Sequence, residues 1–335
     1  MMKILIIKLG AIGDVLRTTS FLKGLKEKYK ADIDWLTKGS SYDMLENDPL
    51  IDNILIIDKD KMNDSYDLVI NLDDDKEVCK IASDLEKKRL IGAYIENGKI
   101  IYKEDSSAWF DMSLISRFGK KRADELKKEN KSTYQDIVSK ILDIPFTEPI
   151  LDISKEKPFA QGFADKNNIK PDKIIIGINT GAGKRWEKKK WPIKYTAQLI
   201  DQLNSELNAT CILFGGPEEV GRNQKIKELV KTKVVDAGCD NSLMQFASLV
   251  DLCRILVTTD SLAMHIGIAL KKQVIALFGP TSAAEINIFN RGEKLIAPKE
   301  CYCCYKKKCG LSGDCMDLIS VDDVFKAVKR RIEDA

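Results

Sequence analysis

Four loops in this sequence bring glycine, acid or lysine together just beyond short apolar runs, and each has the chemistry of an anion or hydroxyl site. The first, Gly10-Ala11-Ile12-Gly13-Asp14, follows the run Lys3-Ile7. Two glycines permit a tight turn and close approach of a ligand, and the carboxylate that follows can either take a proton from a hydroxyl or cap a helix. The spacing is GxxGD rather than GxGxxG, so the dinucleotide fingerprint is not met. The second, Asn179-Thr180-Gly181-Ala182-Gly183, leads into residues 184–194, which hold six Lys or Arg against one Glu and include Lys190-Trp191-Pro192. Backbone N–H groups in such a turn could line a diphosphate that a lysine neutralises, although GxxxxGK[ST] is absent. The third, Phe214-Gly215-Gly216-Pro217-Glu218-Glu219, places an acid where it could accept from ribose hydroxyls or simply open a helix. The fourth runs from Thr258 through Asp260 and Ser261 to His265. Asp260 or Ser261 is expected to cap the next helix, and His265 falls one turn inside it, either at the ligand or packed in the core.

A scaffold that holds such loops on one edge is a parallel sheet with helices on both faces. Strands are predicted at Lys3-Ile7, Ile33-Leu36, Ile54-Ile57, Leu68-Leu72 and Arg89-Tyr94, with a helix through Val15, Leu22, Leu25 and Tyr29 and another through Val78, Ile81, Ala82 and Leu85. A proline-rich stretch from Pro145 to Pro171 reads as the linker region. A second series begins at Lys173-Asn179 and continues with strands at Cys211-Phe214, Ile255-Thr258 and Val274-Phe278. Its helices fit 193–207, 218–230, 243–250 and 261–270. The expectation is α/β: two Rossmann-like doubly wound domains facing a central cleft, over residues 1–155 and 156–318, with a C-terminal helix in 319–335.

Composition narrows the chemistry. The 335 residues carry one histidine, which excludes HExxH-type zinc sites and leaves His265 as the single candidate for a His-based triad. A general base is therefore expected to be a carboxylate or a lysine. Lys plus Arg number 54 and Asp plus Glu 51, a balance unlike that of a dedicated nucleic-acid binder. No apolar run approaches the roughly 20 residues of a membrane span, and the start lacks signal-peptide features, so a cytoplasmic protein is expected.

The ordered set of loops resembles glycosyltransferase family 9, the heptosyltransferases of lipopolysaccharide core assembly. The matching segments are Lys8 to Asp14, Gly181-Ala182 through Lys190-Trp191-Pro192, Gly215 to Glu219, Asp260-Ser261 through His265, and Phe278-Gly279-Pro280-Thr281. The resemblance implies a GT-B fold, an ADP-sugar donor, transfer of a heptose with inversion to a lipopolysaccharide-type acceptor, and no required metal. It implies Asp14 as the general base, with Gly10, Gly13 and Arg17 on the acceptor side. It places Lys190 on the donor phosphates, Glu219 on the ribose, and Thr180, Gly181, Ala182, Asp260, Ser261 and His265 around the donor. Leu262 stands where the family usually has a small residue. Other readings remain: a different nucleotide-sugar donor, a sugar-nucleotide epimerase of the same fold, or a non-catalytic nucleotide-sugar binder.

Three features stand outside this set. Asp73-Asp74-Asp75 could recruit a metal in a DxD arrangement, but reads more simply as a solvated acidic loop. Cys301, Cys303, Cys304, Cys309 and Cys315 are dense enough for a structural zinc, with reduced thiols or a disulfide as the alternatives. Residues 117–131 hold seven Lys or Arg against three acids. They fit an anionic glycolipid acceptor or, with Trp109 or Phe110 exposed, peripheral contact with the cytoplasmic face of the inner membrane.

Overall fold

The computed structural model describes residues 2–333 except Asp64, Pro171, Lys307, Lys308 and 310–313, and only the backbone of Lys184 and Arg185. Two units emerge, Met1–Asp152 with Ala284–Asn287, and Ile153–Ala283 with Ile288–Ala335.

The first unit runs β1 (Lys3–Ile7), α1 (Ile12–Thr18), α2 (Leu22–Tyr29), β2 (Asp32–Thr37), β3 (Asn53–Ile56), β4 (Ser65–Asn71), α3 (Lys76–Asp84), β5 (Glu86–Glu96), β6 (Lys99–Tyr102), α4 (Ser107–Phe110), α5 (Gly119–Glu129) and α6 (Tyr134–Leu142). Its sheet order is β3-β2-β1-β4-β5-β6. All neighbours are parallel except β5 with β6. From Ile4 onward β1 is buried, because helices cover both faces of a parallel sheet, and its near-continuous apolar run follows from that. Ile4 and Ile6 pack with Val15, Leu22 and Leu25 on one face, while Leu5 and Ile7 pack with Val78 and Ala82 on the other.

Two local features differ from the sequence expectation. The helix predicted through Val15 and Tyr29 is two helices joined by a 3-10 turn over Thr19–Phe21. Thr18 Oγ1 donates to the Asp14 carbonyl (2.7 Å) and Thr19 Oγ1 to the Leu16 carbonyl (2.8 Å), and such back-bonding bends the helix there. Strand β5 is longer than expected and turns back into β6 through Asn97 (φ 51°) and Gly98 (φ 74°), the left-handed pair that a tight hairpin requires.

The second unit runs α7 (Lys157–Lys166), β7 (Ile175–Asn179), α8 (Ile193–Leu207), β8 (Thr210–Phe214), α9 (Val220–Leu229), β9 (Val235–Asp236), α10 (Leu243–Asp251), β10 (Ile255–Thr259), α11 (Leu262–Ala269), β11 (Gln273–Phe278), β12 (Gly292–Ile296) and α12 (Val321–Glu333). Its sheet is wholly parallel, in the order β12-β11-β10-β7-β8-β9. Ile176, Ile178, Leu199, Leu203 and Val257 form its core with Val324 and Val328 of the C-terminal helix.

Both sheets follow one scheme. Numbered within its unit, each has the order 3-2-1-4-5-6, the doubly wound Rossmann arrangement, and together they give the GT-B class. The chain reverses direction across the sheet between β1 and β4 in the first unit, and between β7 and β10 in the second. Ligands of open parallel sheets bind outside the carboxyl ends of the strands at such switch points.

Gly92 guards the first of these. It pairs with Asn71 at the end of β4, has φ +98°, and a Cβ on it would lie 1.8 Å from the Asn71 carbonyl oxygen. Gly92→Ala is expected to destabilise the fold by about 2–4 kcal/mol, read as a lowered urea midpoint with unchanged slope.

Candidate functional site

At the first switch point, β1 is followed by Lys8 and the turn Leu9–Ala11, while β4 is followed by Leu72 and Asp73. The Asp73 carboxylate is buried and accepts from Lys8 Nζ (2.5 Å), from Gly10 N–H (3.0 Å) and from Leu9 N–H. Lys8 Nζ also donates to the Leu72 carbonyl (3.1 Å). Burial alone would pull the Lys8 ammonium down, but the Asp73 carboxylate, with Tyr134 and Asp14 adding, holds it above the ordinary lysine value. Asp73 thus belongs to a clamp on the glycine turn rather than to a solvated acidic loop. A Cβ on Gly10 would lie 3.1 Å from Asp73 Oδ1 and 3.2 Å from Lys8 Nζ, so glycine is what lets the turn sit against the pair. Asp74 beside it is half-buried, and burial raises its carboxyl.

Asp14 stands in the first turn of α1, two residues inside the helix rather than at its cap, with its side chain 33% exposed. Arg17, one turn on, holds the carboxylate at 2.8 Å. The Arg17 guanidinium lies 4.0 Å from the centre of the Tyr134 ring and 5.7 Å from that of Trp109, two aromatic faces that suit a planar cation. Tyr134 is fixed by Thr18, its hydroxyl 2.8 Å from Oγ1. Asp14 and Arg17 are therefore held together on α1, with Gly13 buried in the same turn and Gly10 in the turn that leads into it.

At the second switch point Asn179 stitches the strand ends together. Its Nδ2 donates to the Gly181 carbonyl (3.0 Å), to Thr258 Oγ1 (3.1 Å) and to Ser261 Oγ (3.3 Å). Ser261 occupies the cap position of α11, yet its hydroxyl is engaged with Thr258 (3.1 Å) and no side chain caps the first turn. That helix start is apt for an anion. Asp260 is paired with Lys189 Nζ at 2.8 Å. Burial alone would raise the Asp260 carboxyl, but the Lys189 ammonium, with the charge of His265 adding, holds it below the usual carboxylate range. His265 is half-buried on α11 close to this pair.

Thr180 is buried, its hydroxyl donating to Asn223 Oδ1 (2.6 Å) and its backbone N–H to the Phe214 carbonyl (3.2 Å), so it fixes the turn. Ala182 is buried beside it. Gly181 lies against Glu219, whose Oε2 would be 3.0 Å from a Cβ placed there. Glu219 Oε2 accepts from Gly216 N–H (3.1 Å), and its Oε1 is 3.1 Å from Lys190 Nζ. Lys190 is also 2.8 Å from Glu187. Although burial opposes its charge, these two carboxylates raise its pKa. The three consecutive lysines thus divide: Lys188 to Asp314 (2.6 Å), Lys189 to Asp260, and Lys190 to Glu219 and Glu187.

The structure gives Lys8, Asp73 and Lys189 roles that the sequence did not assign to them. The adjacency of β1 and β4 carries the signal for the first two. For Lys189 the spacing of the lysine run contains none, since only the 3-10 path of residues 184–189 decides which lysine turns toward Asp260.

Cys301, Cys304, Cys309 and Cys315 line one cavity with Lys188 and Asp314, but Cys303 is buried away from solvent and Cys309 is exposed. Among the described residues no three His, Cys, Asp or Glu side chains are placed to hold a metal ion, and every cysteine is unpaired as a disulfide. The zinc expectation is therefore not supported. Burial, with Cys304 and Cys301 nearby, raises the Cys315 thiol.

A family model described as glycosyltransferase family 9 (heptosyltransferase) matches residues 61–313. Lipooligosaccharide heptosyltransferase 2 of Haemophilus influenzae is 30% identical over 154 residues, 44% of each chain. The chain spans about half the length of the curated relatives it first matches. A family 9 glycosyl transferase from Veillonella parvula superposes with TM-score 0.80 at 21% identity, covering 100% of this chain and 98% of that one. The E. coli heptosyltransferase WaaC with ADP superposes with TM-score 0.60 at 16% identity, covering 100% and 99%. These two structural likenesses speak to the fold.

Two outcomes follow from the buried pairs. Asp73→Ala is expected to cost about 3–5 kcal/mol, and Asp73→Asn less, because an amide oxygen can still accept from Leu9 and Gly10. Equal losses in urea unfolding would show that the backbone bonds contribute nothing. Because the Asp260 carboxyl lies below its unfolded value of about 3.9, its contribution is full above that pH and is lost as pH falls through the folded value. The stability gap between wild type and Asp260→Asn should therefore hold from about pH 7 to about pH 5 and narrow as pH falls below about 4. A constant gap would contradict the charged pair.

Proposed function

The chain belongs to glycosyltransferase family 9, and from that premise we propose that it moves a heptose from an ADP-sugar to a lipopolysaccharide inner-core or related anionic glycan, inverting the anomeric carbon without a required metal. The observation that carries this reading is the uncapped start of α11 with the Lys189–Asp260 pair beside it, a receptor for a diphosphate at a topological switch point. The unit that ends at Asp152 would serve the acceptor, and the unit of β7 to β12 the donor. The relative solved with ADP supports the choice of nucleotide.

Each residue then has a physical task. An acceptor hydroxyl is a poor nucleophile until a base takes its proton, and Asp14 presents the accessible carboxylate for it. Arg17 fixes the orientation of that carboxylate. The hydroxyl oxygen forms a new bond to the anomeric carbon as the bond from that carbon to the phosphate oxygen breaks. The proton passes to Asp14 and the electron pair leaves with ADP. The charge that develops on the leaving phosphate meets Lys189 and the free N–H groups of α11, the kind of fixed electrostatic stabilisation that contributes most when water is excluded. Both lysines are paired, but Lys190 stands against Glu219, the acid proposed for the ribose hydroxyls, while Lys189 is bonded to Asp260 just before the start of α11, so Lys189 is the better placed to meet the phosphate. Ser261 and His265 flank the same anion, and Gly181 gives Glu219 its room.

The test is calorimetry with ADP, UDP and GDP combined with transfer assays. ADP is expected to bind selectively, and Asp14→Asn should retain that binding while transfer falls about 10²–10⁴-fold. Lys189→Met should lower kcat about 10²–10³-fold, more than Lys190→Met does. Selective UDP binding would overturn the donor. Normal turnover by Asp14→Asn would overturn the base, and conversion of nucleotide-sugar without acceptor would make the protein an epimerase.

A further inference from the structure

Two stretches singled out in the sequence stand outside the proposed reaction. The aromatics expected at the surface of the first unit are not the exposed ones: Phe110 is buried and Trp109 packs edge-on against Tyr134, ring centres 5.0 Å apart, while Phe118 faces solvent. The other stretch is the cysteine-bearing segment after β12. In the second unit it lies against the turn that carries the lysine run.

Its backbone is held in an uncommon shape. Cys303 (φ 60°) and Tyr305 (φ 50°) are both left-handed, a region that residues other than glycine seldom occupy. Such a conformation persists where surrounding contacts over-determine it. Here Tyr305 N–H donates to the Pro280 carbonyl (2.8 Å), and the Tyr305 hydroxyl accepts from Ser282 N–H (3.3 Å). The Tyr302 hydroxyl accepts from Ala283 N–H (2.6 Å). Both tyrosines are thereby tied to the loop that follows β11. A Cβ on Gly279 would lie 2.6 Å from Cys315 Sγ, so the far end of the segment closes on the same loop.

From that base two contacts reach the lysine run. The Tyr305 ring meets Trp186 edge-on, with centres 6.3 Å apart. Lys188 Nζ donates to both oxygens of Asp314 (2.6 and 2.9 Å). Lys189 stands between these anchors in the chain. Its Nζ lies 5.1 Å from the centre of the Trp186 ring, and donates to the Asp260 carboxylate (2.8 Å) and the Asp260 carbonyl (3.0 Å). Trp186 leaves the helical path of its turn (φ −127°, ψ 52°), so its ring is set by what it packs against. A lysine is a flexible four-carbon stem, and its ammonium keeps one place only where neighbours confine it.

We propose that Tyr305 and Asp314 are positioning residues for Lys189. Tyr305 holds the Trp186 ring beside the ammonium, and Asp314 fixes Lys188 and with it the backbone from which Lys189 projects. Stability is a weak reason for either contact, since a half-exposed ion pair contributes little to it. Aim is the stronger reason, because a cation that meets a developing charge must be in place beforehand. The inference rests on the reading that Lys189 meets the leaving phosphate, and it gives the cysteine-bearing segment a task at the donor site.

The experiment is calorimetry of the full chain with ADP and with AMP, which differ by the terminal phosphate. Wild type is expected to prefer ADP. Tyr305→Ala and Asp314→Asn should each lower ADP affinity about threefold to tenfold, with AMP affinity and the thermal midpoint unchanged. Tyr305→Phe keeps the ring and should keep most of the ADP affinity. In a Lys189→Met background neither substitution should lower ADP affinity further, because the group they position is gone. Should Tyr305→Ala lower the thermal midpoint, Asp314→Asn decides. Equal losses for ADP and AMP, full additivity with Lys189→Met, or unchanged ADP affinity in Asp314→Asn would overturn the inference alone. Failure of wild type to bind ADP, or equal affinity for ADP and AMP, would overturn the donor reading and this inference with it.

Discussion

A buried carboxylate with three donors sets the geometry of the first unit. Asp73 closes the end of β4 onto the turn that leaves β1, and it does so through Lys8 and two backbone N–H groups at once. Because those N–H groups belong to Leu9 and Gly10, the path of the chain into α1 is fixed before the helix begins. Asp14 and Arg17 inherit that path. A glycine at position 10 follows from the same constraint, since any side chain there would meet the ion pair it has to cover. Gly92 belongs to this chain of dependence too, for its missing Cβ lets β5 approach the strand end that delivers Asp73.

In the second unit the equivalent organiser is polar but not charged. Asn179 reaches across from β7 to Thr258 and Ser261, which takes the Ser261 hydroxyl away from the helix it would otherwise cap. The open helix start is thus a consequence of a side-chain network, not of a missing cap residue. The lysine run gains its specificity the same way. Three chemically identical side chains are given three different acidic partners by the 3-10 turn that carries them. Arg222 braces that segment by donating to the Trp191 carbonyl.

What was legible in the sequence, and what was not, divides along the same line. Strands buried on both faces announce themselves as apolar runs, so the elements, the order of loops and the Rossmann class could be read. The loops themselves were found because glycine and proline punctuate strand ends. The hairpin to β6 left a readable sign in Asn97-Gly98. Asp73 could not be assigned from its neighbours, because a triple-Asp run looks solvated until Lys8 arrives from a strand 65 residues away. Nor could Lys189 be told from Lys190, or the buried Phe110 from the exposed Phe118, since a turn rotates side chains without altering composition. The cysteine run is the converse case: dense in sequence, but spread over buried, half-buried and exposed positions in space.

The two units repeat one device. In each, the carboxylate beyond the fourth strand meets a lysine that follows the first: Asp73 with Lys8, and Asp260 with Lys189. Stability alone is a weak reason for this, because a buried ion pair often does no better than packed hydrocarbon of the same volume. Position is a stronger one. A switch point is where the backbone of a parallel sheet opens to a ligand, and a lysine left alone there would bind any anion indiscriminately. Pairing it with a fixed carboxylate sets its direction. In the first unit that leaves Asp14 as the charge the loop presents. In the second it leaves backbone N–H groups beside a lysine already aimed. The near-neutral balance of the whole chain, 54 basic residues against 51 acidic, is therefore what such pairing looks like when summed.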